Sequence, residues 1–551
     1  MSHPFQSIQR NVGLNRIPAA SDLPLTSAPA PALSDPEPLS SPSLDVAAAL
    51  HGPRLRVLIL AAVCAPYVKS GGVADVIGSL AGALRRMGHD VRVALPRYSI
   101  ISPEQWRLRR IAENLHVPVG DGEALVDALE AEGPDGEPIY FIDSPAAFDR
   151  EHGTIGYPDD GERFILFNRA ALELTRTLDW APDVIHCHDW YASITPNWLK
   201  TTYRDVAPLK NAASVLTIHN LQYHGIFGYR ILDVAGIEQP PYYQTEDSQR
   251  DAVDLLGRGI EYADLISTVS PRYAREILTP EYGEGLNKLL HARRDRVYGI
   301  LNGIDTEQFD PATDETIESP FDAFSIERRA PNKRALQRRF SLPVDDRAPL
   351  IAVISRFNQV KGFELLDLTF APILEQGAQI IAQGAGEPRY EKMMQRLAAR
   401  YPRQFNFQRT FSVEVTRRIL AGADMLLMPS LVEPCGVTQM QAMRYGCIPI
   451  THRVGGLADT VSEFDPDGDG GAGTGNGFSF TAWNPFQLFA AVTRALEAYR
   501  FRPQWEGLMQ RAMLADHSWD ASAERYIALY RRAIELHRLT ADRARRRSTD
   551  A

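Results

Sequence analysis

The sequence predicts an α/β fold made of two domains, each built on a parallel sheet covered by helices. The chain has 551 residues, which is roughly twice the length at which a single hydrophobic core stops growing. Short apolar runs alternate with glycine-containing loops and amphipathic helices, a pattern typical of parallel strands joined by helical crossovers. The alternation stops and restarts once, after 302–305, so the strands fall into two series.

The first series follows a leading segment rich in proline, serine and alanine. Residues 1–52 offer little apolar surface to bury, so we expect a disordered tail. The first domain, 53–302, then opens with a buried strand at 56–63 and a helix at 73–87 that ends at Gly88. Its further strands are predicted at 91–96, 138–142, 183–187, 213–218 and 264–268.

The second series forms a domain at 303–512. Its strands are predicted at 350–355, 378–383, 424–429 and 448–451. The segment 513–540 carries apolar residues at helical spacing between Ala523 and Leu536, and we expect this helix to pack back on the first domain. The basic residues at 541–551 are predicted to form a second disordered tail.

Composition and charge exclude several classes of function. The net charge of -10 argues against a general nucleic-acid binder, because binding to phosphates requires a basic surface. The longest apolar run, 57–65, is about half a membrane span, and the N-terminus lacks an apolar signal segment. We therefore expect neither membrane insertion nor secretion. Four widely spaced cysteines fit a reducing cytoplasm.

Candidate site residues are the polar groups directly after each strand, because ligands of α/β sheets bind beyond the carboxyl ends of the strands. The first strand leads into Lys69-Ser70-Gly71-Gly72. Here two glycines allow a phosphate to approach the backbone N–H groups of the next helix, and Lys69 adds positive charge. An ordinary glycine turn has the same composition, and the loop lacks the spacing of a P-loop or a dinucleotide fingerprint.

Two more strand ends of the first domain carry candidates for sugar binding. The sequence His186-Cys187-His188-Asp189 ends one strand, and His219 follows the next. Asp189 and His219 can each hydrogen-bond a sugar hydroxyl. A metal site at His186 and His188 lacks a third ligand, so we expect His186 to be hydrogen-bonded in the interior instead.

The second domain carries candidates for binding a diphosphate and a sugar. Arg356 and Lys361 lie five positions apart on one strand-to-helix loop, where they can converge on a diphosphate. At ~4 Å and an effective dielectric near ~20, each cation–phosphate pair contributes about 4 kcal/mol before desolvation. Two such pairs can stabilise a departing nucleoside diphosphate without a metal. Glu433 follows another strand and precedes a helix, where it can accept hydrogen bonds from sugar hydroxyls.

Together these motifs resemble those of the bacterial glycogen synthase and plant starch synthase family. The resemblance runs from about Arg54 to Leu539, and its most specific stretches are 69–76, 268–277, 279–286, 299–305, 433–439 and 455–461. It implies a GT-B fold, in which two Rossmann-like domains face each other across a cleft. It also implies transfer of glucose from ADP-glucose, with retention of configuration, to the non-reducing end of an α-1,4-glucan. No metal or other cofactor is expected.

The resemblance also implies roles for individual residues. The catalytic set is Lys69, Asp189, His219, Arg356, Lys361 and Glu433. The donor-binding set is Lys69, Gly72, Asn302, Arg356, Lys361, Phe411, Glu433, Cys435, Gly436, Val437 and Thr438. The three cations act on the diphosphate, while Asp189, His219 and Glu433 surround the glucosyl unit. No side chain serves as the single base, because the leaving phosphate helps to deprotonate the incoming hydroxyl and preorganised charges supply most of the rate.

The chain departs from the family pattern at Ala62-Val63, Gly257-Arg258, Val360 and Phe411. Ala62-Val63 stand where the family usually has Ser-Glu, and the lost carboxylate bears on the acceptor side of the cleft. Phe411 stands where an adenine-stacking tyrosine is common, and it keeps the aromatic face. The family usually has a lysine followed by a small residue in place of Gly257-Arg258, and a glutamine in place of Val360.

Two alternatives stay open at the level of sequence. One is a transferase of the same fold that uses UDP-glucose or a small-glucoside acceptor. The other is a weakly active, glucan-binding regulatory homologue, which is supported by Ala62-Val63 alone and opposed by the retained cations and Glu433. The sequence does not indicate an oligomeric state.

Overall fold

A computed structural model describes residues 43–69, 71–151, 153–237, 252–471 and 473–549. Within these ranges the chain forms a nine-stranded sheet, a six-stranded sheet and a two-stranded ribbon. The larger sheet is built from the first part of the chain and the six-stranded sheet from the second. Most of the predicted leading tail, 1–42, lies outside the described residues.

The first part of the chain alternates strands and helices, as its apolar runs predict. Its strands are β1 (Arg56–Leu60), β2 (Asp90–Pro96), β3 (Arg109–Val119), β4 (Gly122–Glu132), β5 (Pro138–Asp143), β6 (Val184–His188), β7 (Ala213–Ile218), β8 (Ile226–Gly228), β9 (Ala252–Asp254), β10 (Leu265–Thr268) and β11 (Val297–Gly299). Its α-helices are α1 (Val46–Leu50), α2 (Gly72–Arg86), α3 (Pro145–Phe148), α4 (Asp160–Thr177), α5 (Asp189–Ala192), α6 (Thr195–Lys200), α7 (Arg230–Ala235), α8 (Leu255–Tyr262), α9 (Pro271–Glu276) and α10 (Asn287–Ala292).

The nine strands of the large sheet run in the order β11-β10-β7-β6-β1-β2-β5-β4-β3. Neighbours from β11 to β5 are parallel, and β4 pairs antiparallel with both β5 and β3. Chain order therefore runs outward from β1 to β2 and β5 on one side, before β4 and β3 fold back as an antiparallel extension, and outward from β6 to β11 on the other. This reversal between β1 and β6 marks the crevice in which such sheets bind ligands.

The second part of the chain repeats the architecture with a fully parallel sheet. Its strands are β12 (Leu350–Ile354), β13 (Gln379–Gln383), β14 (Phe405–Gln408), β15 (Met425–Met428), β16 (Ile448–His452) and β17 (Phe478–Phe480). Its α-helices are α11 (Ala330–Arg339), α12 (Phe363–Glu375), α13 (Pro388–Arg400), α14 (Val413–Gly422), α15 (Thr438–Arg444), α16 (Gly455–Thr460), α17 (Pro485–Arg500) and α18 (Arg502–Leu514). The order β14-β13-β12-β15-β16-β17 again reverses once, between β12 and β15.

The last helix, α19 (Trp519–Thr549), returns to the first part of the chain, as predicted. Tyr526 and Tyr530 are fully buried in the core of the large sheet, and the Ser522 hydroxyl donates to the Leu301 carbonyl at 2.7 Å. The prediction of a disordered tail at 541–551 is wrong for 541–549, because α19 continues to Thr549, and residues 550 and 551 lie outside the described residues. Arginine and alanine dominate this last stretch, and both favour a helix, as does positive charge near its C-terminus.

The leading tail also ends earlier than predicted. Residues 46–50 form α1, whose first turn is capped by the Asp45 carboxylate accepting from the Ala48 N–H at 3.0 Å. Arg531 on α19 donates to the carbonyls of Ala49 at 2.6 Å and Pro53 at 2.8 Å. The prediction of disorder is therefore wrong for 46–50, because an arginine 482 positions further along the chain supplies contacts that local composition cannot reveal.

Deleting residues 1–50 is expected to lower the thermal midpoint by roughly 2–4 °C relative to deleting residues 1–42. The longer deletion removes the Ala49 carbonyl that accepts from Arg531 and the buried Ala49 side chain. We expect this to lower the free energy of unfolding by about 1 kcal/mol. Differential scanning fluorimetry of the two truncated chains measures the difference. Equal midpoints would show that α1 contributes nothing to stability.

No helix in the described part of the chain is both long enough and apolar enough to cross a bilayer.

Candidate active site

Four of the predicted site residues lie on the loops at the two reversal points of the sheets. Lys69 lies on the loop after β1, and Asp189 directly follows β6. In the second sheet, Lys361 follows β12 and Glu433 follows β15. Because β1 and β6 flank one reversal, and β12 and β15 flank the other, each pair of loops borders a ligand crevice. Sequence reasoning placed these residues at strand ends, and the strand order makes them neighbours.

Lys361 and Glu433 form the centre of the crevice in the second sheet. The Lys361 ammonium lies 2.5 Å from Oε2 of Glu433, and the Ser430 hydroxyl donates to the same oxygen at 3.0 Å. The backbone N–H of Lys361 is in turn held by the Asn358 side chain at 3.0 Å. A cation and a carboxylate are thus fixed side by side where a ligand would enter. Sequence reasoning missed Ser430 and Asn358, although each lies three positions from a predicted residue.

Gly362 lets the loops after β12 and β15 approach each other closely. Its φ of +81° lies in the left-handed region, and a Cβ atom would stand 2.1 Å from the Pro429 carbonyl oxygen. A side chain at this position would push the Lys361 loop away from the strand that leads to Glu433. The Lys361–Glu433 contact therefore requires glycine at position 362.

Arg356 lies on the same loop as Lys361 but is exposed. Among the described residues it has no ion-pair partner. The structure therefore does not join Arg356 to Glu433, and the Arg356 side chain is open to solvent.

The predicted donor loop, 433–438, is held in place by side-chain hydrogen bonds to its backbone carbonyls. The side-chain amide of Gln439 donates to the carbonyls of Cys435 at 3.2 Å and Gly436 at 3.1 Å. Cys435 is buried, and Gly436 adopts a φ of +68°. Val437 and Thr438 are partly exposed where α15 begins, so this stretch presents the start of a helix to the crevice.

Asn302 and Phe411, two other residues predicted to bind the nucleotide sugar, lie in contrasting environments. Asn302 is buried, and its Oδ1 atom has no hydrogen-bond partner in the described ranges. Phe411 lies between β14 and α14 with 64% of its surface exposed. An aromatic ring this exposed near the strand ends offers a face on which a base can stack.

In the first sheet, the loop after β1 is open. Lys69 is exposed, with its ammonium 3.9 Å from the Asp75 carboxylate. Gly72 begins α2, and a Cβ atom there would meet nothing within 4 Å. The protein itself therefore does not require glycine at this position, and the free space lies against the helix N-terminus. Ala62 and Val63 are buried, so nothing at these positions projects a polar group into the crevice.

Asp189 and His219 are in contact, as their neighbouring strand ends suggest. Oδ1 of Asp189 accepts from the backbone N–H of His219 at 2.7 Å. Asp189 has a φ of +54°, an uncommon conformation for a residue with a side chain and one that occurs most often at functional sites. Burial raises the pKa of the Asp189 carboxyl and lowers the pKa of His219.

His186 has the interior role that the sequence predicts. Its Nδ1 atom lies 2.8 Å from the Tyr530 hydroxyl, and its Nε2 atom lies 2.6 Å from the Thr217 hydroxyl. Tyr530 belongs to α19, so the last helix of the chain reaches the strands that carry Asp189 and His219. Burial lowers the pKa of His186 to about 3.

Acidification is expected to destabilise the fold through His186. Between the ordinary histidine pKa of 6.5 and the folded-state pKa of about 3, the unfolded chain binds a proton that the folded chain does not. The free energy of unfolding therefore falls by up to about 1.4 kcal/mol per pH unit as the pH drops through this window. Replacing His186 by glutamine should reduce the slope of urea stability against pH by that amount between about pH 6 and pH 5. An unchanged slope would contradict the assignment.

Helices α9 and α16 join the two sheets next to the donor loop. The Glu276 carboxylate accepts from the Gly455 N–H at 3.1 Å and from Arg272 at 2.9 Å, while the backbone N–H of Arg272 donates to Asp459 at 2.7 Å. The following N–H, of Gly456, donates to the Glu433 carbonyl at 3.2 Å. The Glu276 carboxylate of the first part thus binds the backbone at Gly455, and the adjacent Gly456 contacts the backbone of Glu433. Sequence reasoning included these positions in its specific stretches but assigned them no role.

Comparison with known proteins identifies the family to which the chain belongs. Residues 56–292 match the family described as starch synthase catalytic domain, and residues 336–506 match glycosyl transferases group 1. Glycogen synthase from Geobacillus thermodenitrificans (strain NG80-2) is 42% identical over 484 residues, which cover 87% of this chain and 98% of that protein. The chain belongs to the glycogen and starch synthase family.

Other members agree with this assignment, and a more distant structure shares the fold. Glycogen synthase from Caldicellulosiruptor bescii is 40% identical, covering 86% of this chain and 99% of that protein. The catalytic domain of starch synthase IV from Arabidopsis thaliana, solved with ADP and acarbose, matches with a TM-score of 0.79 and 32% identity, covering 88% of this chain and all of that one. Sucrose-phosphate synthase from Thermosynechococcus elongatus, at 18% identity and a TM-score of 0.54 with 87% and 98% covered, shares the fold.

Membership of the glycogen and starch synthase family confirms three predictions made from the sequence. The family resemblance is correct, the fold is GT-B with two Rossmann-like parallel-sheet domains, and the protein is a glycosyltransferase that makes an α-glucan. The roles of the individual site residues stay predictions.

Proposed function

We propose that this glycogen/starch synthase family member transfers glucose from ADP-glucose to the non-reducing end of an α-1,4-glucan, with retention of configuration. The observation that carries the proposal is the contact between Lys361 and Glu433 at the reversal point of the second sheet. It holds a cation suited to a phosphate beside a carboxylate suited to sugar hydroxyls, which is what a nucleotide sugar requires at its reacting end.

The diphosphate is stabilised by three cations and by backbone N–H groups. Lys361 and Arg356 reach it from the second sheet, and Lys69 reaches it from the first. The open space against Gly72 allows a phosphate to approach the N-terminus of α2, a 15-residue helix. Negative charge develops on the leaving phosphate as its bond to C1 of glucose breaks, so these fixed positive groups stabilise the transition state more than the ground state.

Transfer with retention follows when the acceptor hydroxyl attacks from the face that the diphosphate leaves. The C1–phosphate bond breaks through an oxocarbenium-like state, the new C1–O4 bond forms, and the proton of the acceptor hydroxyl passes to the departing phosphate. Glu433, Asp189 and His219 hydrogen-bond the glucosyl unit and the acceptor. Because Asp189 and His219 lie in the first sheet and Glu433 in the second, the sugar is bound between the two halves.

The preference for ADP over UDP is attributed to Phe411. Its exposed ring offers a stacking surface, and the larger adenine covers more of that surface than uracil. The similar starch synthase IV structure was solved with ADP bound.

We further infer a cytoplasmic enzyme, since Cys64, Cys187, Cys435 and Cys447 are all free thiols. Residues such as Lys361 and Arg356 take the place of a metal on the diphosphate.

Donor competition with and without a chelator tests this proposal. Initial rates of glucose incorporation into glycogen are measured with ADP-glucose and UDP-glucose, each before and after treatment with EDTA. ADP-glucose should be preferred by at least about tenfold in kcat/KM, equivalent to about 1.4 kcal/mol, and the rates should not change with EDTA. Equal use of both donors would contradict the role of Phe411, and loss of activity with EDTA would contradict the metal-free reaction.

A further inference from the structure

The carboxyl ends of β6 and β7 hold a pair of hydrogen-bonded histidines. Nδ1 of His188 lies 2.9 Å from Nε2 of His219, and the two ring planes are inclined by 23° with centroids 5.2 Å apart, so the rings meet edge to edge. His188 is buried, whereas His219 keeps 7% of its surface exposed. His219 is the predicted sugar-binding residue, and His188 has no role in the function proposed above.

The environment of Nε2 of His188 indicates which of the two histidines donates the hydrogen bond between them. Nε2 of His188 is sealed from solvent and has no hydrogen-bond partner in the part of the chain that the structure describes. If His219 donated from Nε2, neutral His188 would carry its own proton on Nε2, leaving a buried N–H without an acceptor. If His188 donates from Nδ1, its Nε2 is a bare lone pair. An orphaned buried N–H is the rarer arrangement in folded proteins, so the second is favoured.

Burial also keeps both rings neutral. The pKa of His188 is lowered well below the ordinary histidine value by burial, and the pKa of His219 is lowered by burial despite the nearby Asp189 carboxylate. The His186 ring lies 4.0 Å from the His188 ring and is itself fixed by Tyr530 and Thr217. The His188 ring therefore rests against a rigid neighbour and has a fixed orientation.

We propose that His188 is a positioning residue whose Nδ1–H donates to Nε2 of His219 and holds His219 in the neutral form protonated on Nδ1. This inference rests on the proposed function only in taking His219 to face the sugar. Nδ1 of His219 makes no hydrogen bond to any described residue, and it is not among the sealed polar atoms. His219 then presents an N–H donor to a sugar or phosphate oxygen. With its lone pair occupied by His188, it cannot take the proton of the acceptor hydroxyl.

Solid-state ¹⁵N NMR of protein labelled at the Nδ1 atoms of its histidines tests the proton positions directly. The signals of the two residues are assigned by their loss in His188→Asn and His219→Gln. We expect both Nδ1 atoms to be protonated near neutral pH. In the opposite arrangement both Nδ1 atoms are bare, and that result would overturn the proposal. The measurement uses the intact wild-type chain and does not depend on activity.

Two substitutions of His188 test its effect on the reaction. Asparagine can place an amide N–H near the position of Nδ1, whereas phenylalanine fills the space without a donor. We expect His188→Phe to lower kcat by about tenfold or more with little change in the donor KM, and His188→Asn to restore most of the loss. Equal kcat values for the two variants would overturn the positioning role.

A matched control separates positioning from general damage to a buried histidine. His89 is 7% exposed and its Nδ1 atom accepts from the Leu55 N–H, away from β6 and β7. His89→Phe should lower the thermal midpoint while leaving kcat near the wild-type value. His219→Gln tests the underlying function separately. Wild-type kcat in this variant would contradict the role of His219 in sugar binding, and the NMR result would still decide whether His188 sets its proton.

Discussion

Replacing Lys361 by alanine is expected to lower kcat by roughly 10²–10³, the loss seen when one preorganised transition-state donor is removed. The ammonium group is fixed 2.5 Å from Glu433 at the reversal point of the second sheet. In the proposed reaction, charge grows on the leaving diphosphate within reach of this group, so its removal should raise the barrier more than it weakens binding. Arg356→Ala should cause a loss of the same order, because its exposed guanidinium is the second cation of the same loop.

Rates must be read against the stability of each variant. Arg500→Ala serves as the control, since Arg500 is an exposed arginine of the second part, paired with Glu497 at the end of α17. It should leave kcat and the thermal midpoint unchanged. If both Lys361→Ala and Arg356→Ala fold normally and lose tenfold or less, the diphosphate is held elsewhere.

Replacing Gly362 by alanine is expected to cost about 3 kcal/mol or more of unfolding free energy. The positive φ alone contributes about 1–2 kcal/mol for a residue with a Cβ atom. The new Cβ would also stand 2.1 Å from the Pro429 carbonyl oxygen, a backbone atom that cannot rotate away. Separating these loops also moves Lys361 from Glu433, so kcat should fall together with stability.

Gly377 provides a matched control at the other end of the same helix. It has a similar φ of +87°, but a Cβ atom there would meet nothing within 4 Å. Gly377→Ala should therefore show the conformational cost alone, about 1 kcal/mol, with kcat unchanged. Urea denaturation of both variants measures the difference. Equal losses would show that the close approach at Gly362 has no energetic consequence.

The apolar runs of the sequence predicted most of the central strands within a residue or two. β7, β12 and β16 are buried along their whole length, so each appears as a largely apolar segment. The hairpin β3–β4 was not predicted because β3 is mostly exposed or half-buried and both strands carry charged residues. Strands such as β11 and β17 have only three residues, too few to give a pattern.

The candidate site was predictable where chemistry follows a strand end directly. Lys361 and Glu433 were found in this way, and the strand order then placed them together. Glu276 could not be found in this way, because its contact with Gly455 joins residues far apart in the chain. His188 was dismissed as a metal ligand, and its contact with His219 emerges only from the pairing of β6 with β7.

Following labelled glucose from ADP-glucose into glycogen most directly tests the claim that the enzyme extends the non-reducing ends of an α-1,4-glucan. ADP-glucose labelled in its glucose ring is incubated with the enzyme and glycogen, and the polymer is then treated with an exo-acting α-1,4-glucan hydrolase. The label should enter the polymer and be released ahead of unlabelled glucose, because it was added at non-reducing ends. Label recovered as free glucose, in a small glucoside, or still in ADP-glucose after long incubation would contradict the proposed function.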